Sequence, residues 1–205
     1  MKKLLLLACA ALVMPSCEKD PDMGELDANL AVYTDYDSDV DFGAYTTYFL
    51  PDSILEAGSH HASYWKDENA LAVIGRVEAQ MDGRGYVRIA DPEKKNEASV
   101  GVQLSYIPQT TNVVVGGYFD GWWNCGFWGP WSGWYYPYPV SYSYDTNTLV
   151  LEIVDLTAAE SADGKLPVVW YANASGFDFG GRYNLQLLED AVDQAFGQSP
   201  YIKAN

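Results

Sequence analysis

Residues 98–106, ASVGVQLSY, decide the fold class of this chain because apolar and small polar residues alternate there without a break. Side chains of an extended chain point alternately to opposite faces, so five of them would share one face: Ala98, Val100, Val102, Leu104 and Tyr106. We expect the other face to meet solvent through Ser99, Gly101, Gln103 and Ser105. The stretch therefore predicts a half-buried β-strand.

Similar patterns on both sides of this stretch predict the remaining elements. Strands are expected at 30–36, 45–50, 86–90, 140–156 and 166–174, and the last two are joined by a turn containing Asp163-Gly164, which indicates a hairpin. Apolar residues recur every three or four positions in 67–83 and 182–196, which predicts two amphipathic helices. We therefore expect residues 30–200 to form a single α+β domain. It would be a two-layer sandwich, with a mostly antiparallel sheet of about six strands and both helices on one face.

The N-terminal segment has the pattern of a secretion signal. Lys2 and Lys3 precede an apolar run over 4–14, which is too short to span a bilayer as a helix. Ser16-Cys17 at its end resembles the lipobox of bacterial lipoproteins. That resemblance implies cleavage after a signal peptide of residues 1–16 and a membrane anchor of lipid, including palmitate, on Cys17. Residues 17–29 are polar and predict an acidic tether, and their acids resemble the signal that sends some Gram-negative lipoproteins to the outer face.

Charge and cysteine content limit the class of partner. The formal charge is −16, and it becomes −18 after cleavage because residues 1–16 carry two lysines and no acids. Such a surface repels phosphates, so we expect no nucleic-acid partner.

The cysteines do not predict a disulfide. Cys9 leaves with the signal and Cys17 carries lipid, which leaves Cys125 without an intramolecular disulfide partner.

An aromatic insert over residues 117–139 is the strongest candidate for a functional segment. It holds eleven aromatic residues between Tyr118 and Tyr138, interleaved with glycines and prolines that exclude a regular helix. The candidate ligand or partner residues are Trp122, Trp123, Trp128, Trp131, Trp134, Tyr135 and Tyr136. These rings could stack on sugars, lie among lipid headgroups, or pack on a partner protein or second copy. Without a ligand, the insert would either fold back over the open sheet face or be a mobile low-complexity segment.

Sequence signals for catalysis are weak, so we expect neither an enzyme, nor a cofactor, nor a metal site. His60 and His61 are adjacent and would face opposite ways in an extended chain. The alternating acids from Asp35 to Asp41 resemble a calcium loop, but Val40 stands where such a loop needs Gly. We read these acids as a turn whose side chains cap the backbone.

Three segments in order resemble the bacterial lipoproteins grouped as domain of unknown function 4136 (DUF4136). They are Asp35-Tyr36-Asp37 with Tyr45-Thr46-Thr47-Tyr48-Phe49, then Arg84-Gly85-Tyr86, then TLVLEIVD at 148–155 followed by Lys165-Leu166. The resemblance implies a lipid-anchored α+β domain of the cell envelope, with no established activity.

These observations predict a lipid-anchored protein of the bacterial envelope, at the outer membrane, with a non-enzymatic interaction or structural role. The alternative is a carbohydrate-binding envelope lipoprotein that uses the Trp residues of the insert.

Overall fold

The fold is given by a computed structural model, which describes residues 30–56, 63–107, 133–138, 147–160, 164–176 and 185–205. Nine strands and two α-helices lie in these ranges, with two short 3-10 helices between them. The strands are β1 (Ala31–Tyr36), β2 (Thr47–Phe49), β3 (Ile54–Glu56), β4 (Ser63–Trp65), β5 (Val87–Arg88), β6 (Val100–Ile107), β7 (Trp134–Tyr135), β8 (Thr148–Asp155) and β9 (Leu166–Ser175). The helices are α1 (Glu68–Gly83) and α2 (Leu185–Gly197).

One path of six strands forms the body of the sheet, in the order β1-β9-β8-β6-β2-β5. Its centre is antiparallel: β6 pairs with β8 from Val100↔Asp155 to Ile107↔Thr148, and β8 pairs with β9. The predicted hairpin of 140–156 with 166–174 is thus present as β8 and β9. The mixed α and β content predicted from the sequence is confirmed.

The strand count and the strand directions differ from the sequence prediction. Strands β3, β4 and β7 attach beside the main path, and four pairings are parallel: β2–β5, β2–β6, β3–β6 and β7–β9. Strands β2, β3, β4, β5 and β7 each have only two or three residues. Of these, β3, β4 and β7 were not predicted, because so few residues do not show a period of two. The parallel pairings join segments that are distant in sequence, so no local pattern predicts them.

Both helices pack against one face of the sheet and form the main core. Helix α1 begins after Asp67, whose Oδ1 accepts hydrogen bonds from the backbone N–H groups of Asn69 and Ala70, each at 3.0 Å. This N-cap supplies acceptors for two of the helix's unpaired donors. The buried faces of both helices share one cluster with Val102, Leu104 and other residues of β6, β8 and β9. Among the described residues, neither helix is long and apolar enough to cross a membrane.

The opposite face of the sheet is also buried, which corrects the expectation for residues 98–106. Gln103 is 5% exposed and Ser105 is 2% exposed, although both were expected to meet solvent. A second cluster lies on this face and includes Phe49, Ile107, Trp134, Val150, Val154, Val168 and Tyr171. Strand β6 is therefore buried on both faces, and its polar positions cannot be read as a solvent-facing row.

Candidate functional site

Most of the candidate residues of the aromatic insert lie outside the described residues. This holds for Trp122, Trp123, Trp128 and Trp131, and equally for Cys17, Cys125, His60 and His61. Trp134, Tyr135 and Tyr136 are described, together with the neighbouring Gly133 and Tyr138. The geometry of the site is therefore built from residues 133–138.

These residues are held on the second face of the sheet by strand β7. Trp134 pairs in parallel with Leu166 of β9, and the Leu166 N–H donates to the Gly133 carbonyl at 3.0 Å. The Trp134 side chain is only 5% exposed and belongs to the second cluster. The end of the insert is thus part of the folded body, and the Trp134 ring is not available as an exposed stacking surface.

Tyrosine rings of the same segment also pack on this second face of the sheet. Tyr136 meets Tyr171 of β9 edge to face, with ring centroids 5.8 Å apart and planes at 78°, and it meets Tyr138 in the same way at 6.1 Å. Edge-to-face pairs place a positive ring edge on a negative ring face and favour a fixed orientation. The segment is therefore positioned by packing as well as by backbone pairing.

A buried carboxyl group, Glu152, lies beneath this segment at the centre of the sheet. Its register neighbours are Gln103 on β6 and Tyr171 on β9, and it is 2% exposed. The Tyr136 hydroxyl donates a hydrogen bond to its Oε1. Burial raises the pKa of Glu152 from its usual 4.5 to about 8, while hydrogen bonding from Tyr136 and Trp134 opposes that rise. At neutral pH this side chain is therefore mainly an uncharged acid.

Glu152 is not among the residues predicted from the sequence, although the sequence carries a signal for it. It is the single acid inside the apolar run of TLVLEIVD at 148–155, before the final Asp155. A strand of this composition is typical of burial on both faces, where an acid needs hydrogen-bond partners. What the sequence lacks is any indication that Tyr136 supplies one.

Further polar groups lie in register with Glu152. Asp35 of β1 is opposite Tyr171, so three neighbouring strands contribute Asp35, Tyr171 and Glu152 to one row. Asp35 accepts a hydrogen bond from the Tyr33 hydroxyl at 3.1 Å, and Asn173 donates to the Tyr171 hydroxyl at 3.0 Å. The polar groups of this row hydrogen-bond to tyrosine hydroxyls and so help to fix the positions of the rings. The Glu152 carboxyl already accepts a hydrogen bond from Tyr136.

The acids that follow β1 form a capped turn. Asp37 accepts a hydrogen bond from the Asp39 N–H and Asp41 accepts one from the Gly43 N–H, both at 3.0 Å. The interpretation of these acids as backbone caps is confirmed for Asp37 and Asp41. In the part of the chain that the structure describes, His, Cys, Asp and Glu side chains form no group of three or more that could hold a metal ion.

Comparison with known proteins gives one match by family model and several by structure. The model described as "Domain of unknown function (DUF4136)" matches residues 32–201. A crystal structure of a DUF4136 family protein from Bacteroides thetaiotaomicron is 38% identical, with a TM-score of 0.71, and the alignment covers 85% of this chain and 98% of that one. No curated protein matches.

Two further structures are more distant. A PelC dodecamer from Paraburkholderia phytofirmans is 14% identical with a TM-score of 0.42, covering 86% of this chain and 99% of that chain. A PDZ domain protein from Parabacteroides distasonis is 15% identical with a TM-score of 0.44, covering 85% and 37%. Neither likeness is close enough to support an argument about this chain.

Proposed function

We propose a function for this chain, which belongs to the DUF4136 family. It is a lipid-anchored protein of the bacterial cell envelope with a non-enzymatic interaction role. Membership confirms the resemblance found in the sequence motifs, and the family description names no activity. The observation that carries the proposal is the short apolar run that ends in Ser16-Cys17.

The anchor consists of lipid on Cys17, followed by the acidic tether of residues 17–29. Two acyl chains give stable membrane attachment where a single chain is marginal. Thirteen residues of extended chain span at most about 45 Å, so the domain stays close to the outer membrane that holds it. Its charge of −18 after cleavage disfavours contact of the folded body with anionic headgroups.

The interaction surface is the aromatic insert, whose partner is an envelope protein or a second copy of this chain. Residues 133–138 pair with β9 and pack on the sheet, so the C-terminal end of the insert is fixed to the domain. An aromatic segment with a rigid base loses less conformational entropy on binding than a free one.

Glu152 supports the non-enzymatic part of the proposal. A catalytic acid must lie within hydrogen-bonding distance of the substrate atom that accepts its proton. The Glu152 carboxyl is buried, and its Oε1 already accepts a hydrogen bond from Tyr136. The pKa of Glu152 is therefore raised by its burial in the sheet and does not by itself indicate catalysis, since buried structural networks also perturb pKa values.

The anchor is tested by metabolic labelling with an alkyne analogue of palmitate in a bacterial host. The wild-type chain and Cys125→Ser should both incorporate label and fractionate with membranes, whereas Cys17→Ser should do neither. Cys125 is the matched control because it tests for lipidation at any other thiol of the mature chain. A Cys17→Ser protein that stays labelled or membrane-bound contradicts the proposal.

The interaction surface is tested by chemical cross-linking in cells, followed by purification of the chain. The test variant replaces residues 118–131 with a Gly-Ser linker and keeps 133–138, because those residues cover the sheet. We expect one defined cross-linked species to disappear in this variant and to persist in Tyr33→Ala, a change to an exposed tyrosine of β1. If the same species forms without residues 118–131, the insert is not the interaction surface.

A further inference from the structure

An open cavity of about 470 Å³ lies where the end of β1 meets the C-terminal residues. Its lining includes Tyr36, Asp41, Phe42, Tyr201, Lys203 and Asn205. The volume is within the range of about 300 to 1,000 Å³ that is typical of small-molecule sites. The function proposed above makes no use of this cavity.

Three aromatic rings form one wall of the cavity. Tyr36 and Tyr201 are stacked, with ring centroids 3.9 Å apart and planes at 27°, and Phe42 is tilted against Tyr201 at 5.5 Å. Phe42 is 4% exposed, whereas Tyr36 is 38% exposed. Tyr36 therefore presents aromatic surface to a ligand while the other two rings support it.

The aromatic wall is held in place by the core. The Phe42 carbonyl accepts a hydrogen bond from the buried Tyr86 hydroxyl at 3.1 Å. The Tyr201 hydroxyl donates to Ser199 Oγ at 3.2 Å, and Ile202, next in sequence, is completely buried. A binding surface that is fixed before the ligand arrives loses little entropy on binding.

The rim carries polar groups of both signs. Asp41 and Lys203 are exposed and contribute one negative and one positive charge, and Asn205 contributes a carboxamide close to Gly43. Asp41 uses Oδ1 for the Gly43 N–H at 3.0 Å. The rim therefore offers both hydrogen-bond donors and acceptors.

We infer that this cavity is a binding site for a short neutral glycan, with a pyranose C–H face on Tyr36 and sugar hydroxyls on Asp41, Lys203 and Asn205. Sugars combine flat apolar C–H faces with many hydroxyls, and this combination matches an aromatic wall with a polar rim. The charge of −16 over the whole chain works against anionic ligands such as nucleotides. This inference is independent of the function proposed for the insert.

Saturation-transfer difference NMR tests the site on the full chain in a detergent that has no sugar headgroup. The probes are maltotriose, cellotriose, chitotriose and mannotriose, with glucuronic acid as the charged comparison. We expect saturation of the ring C–H protons of at least one trisaccharide and weaker transfer to glucuronic acid. No transfer to any trisaccharide, or preferential transfer to the acid, overturns the inference.

Matched variants locate the binding. Tyr36→Ala should weaken it by about tenfold, because an aromatic contact of this kind is lost. Tyr33→Ala changes another exposed tyrosine three residues earlier, outside the cavity lining, and should leave binding unchanged. Asp41→Asn preserves Oδ1 for the Gly43 N–H but removes the charge, so it should fold normally and still weaken binding severalfold. Binding that survives both Tyr36→Ala and Asp41→Asn but is lost without residues 118–131 would place the glycan on the insert and overturn the inference.

Discussion

Ionisation of Glu152 should make the stability of this protein depend on pH in a defined direction. In the unfolded chain the carboxyl loses its proton near the usual 4.5, whereas burial raises its pKa to about 8 in the folded state. Between these values the folded state binds one proton more than the unfolded state, so raising the pH favours unfolding. The contribution of Glu152 is fully present below pH 4.5 and is lost as the pH rises through about 8.

The magnitude follows from the width of this window. Each pH unit inside it costs about 1.4 kcal/mol of unfolding free energy, so the change from pH 5.5 to pH 7.5 is about 3 kcal/mol. Over the whole window the cost is about 5 kcal/mol. That is a large fraction of the total stability of a domain of this size, which is about 5 to 15 kcal/mol.

Urea unfolding followed by tryptophan emission measures the effect at pH 5.5, 6.5, 7.5 and 8.5. Glu152→Gln retains a carbonyl oxygen for the Tyr136 hydroxyl but cannot ionise, so its stability should lack this pH dependence. The wild type should lose about 3 kcal/mol relative to Glu152→Gln between pH 5.5 and 7.5. Glu97→Gln, which changes an exposed carboxyl, is the control and should follow the wild type. If wild-type and Glu152→Gln stabilities change in parallel with pH, Glu152 is not a buried neutral acid.

Substitutions at Asp67, Ser199 and Gly85 test contacts in the core and near the ends of the helices, with Asp67→Asn and Gly83→Ala as comparisons. Asp67→Ala should destabilise the protein by about 1 kcal/mol because helix α1 loses its N-cap, whereas Asp67→Asn retains an acceptor and should cost less, as measured by urea midpoints. Ser199→Ala should cost about 1 to 3 kcal/mol, because the fully buried Trp170 loses the acceptor for its indole N–H at 2.9 Å; a change below about 0.5 kcal/mol in thermal or urea unfolding contradicts this. Gly85→Ala should destabilise by about 1 to 2 kcal/mol because Gly85 has φ of +89°. Gly83→Ala meets no atom within 4 Å and should be neutral or slightly stabilising in the same assay.

Local patterns in the sequence were sufficient to predict the principal elements. The alternation in 98–106 corresponds to β6 (Val100–Ile107), and the helical spacing in 67–83 corresponds to α1 (Glu68–Gly83). The run at 148–155 corresponds to β8. These signals are readable because side-chain direction along one element depends only on the backbone conformation of that element.

The candidate site could be predicted only in part. The insert was identified from its composition, and Trp134, Tyr135 and Tyr136 were among the residues selected. The burial of Trp134 and the contact of Tyr136 with Glu152 were not predicted, because no local pattern links residues that are sixteen positions apart. The cavity beside Tyr36 was missed for the same reason, since Tyr201 reaches it from the far end of the chain.

By itself the sequence determined the fold class, the two helices, the longer strands and the family, together with the expectation of an anchor at Cys17. Tertiary structure alone decided the strand order, the parallel pairings of the short strands and the burial of the second sheet face. It also decided that Asp35, Tyr171 and Glu152 lie in one row. The physical reason is that secondary structure follows from the local conformation of the chain, whereas burial, register and pKa depend on which distant segments exclude water from each side chain.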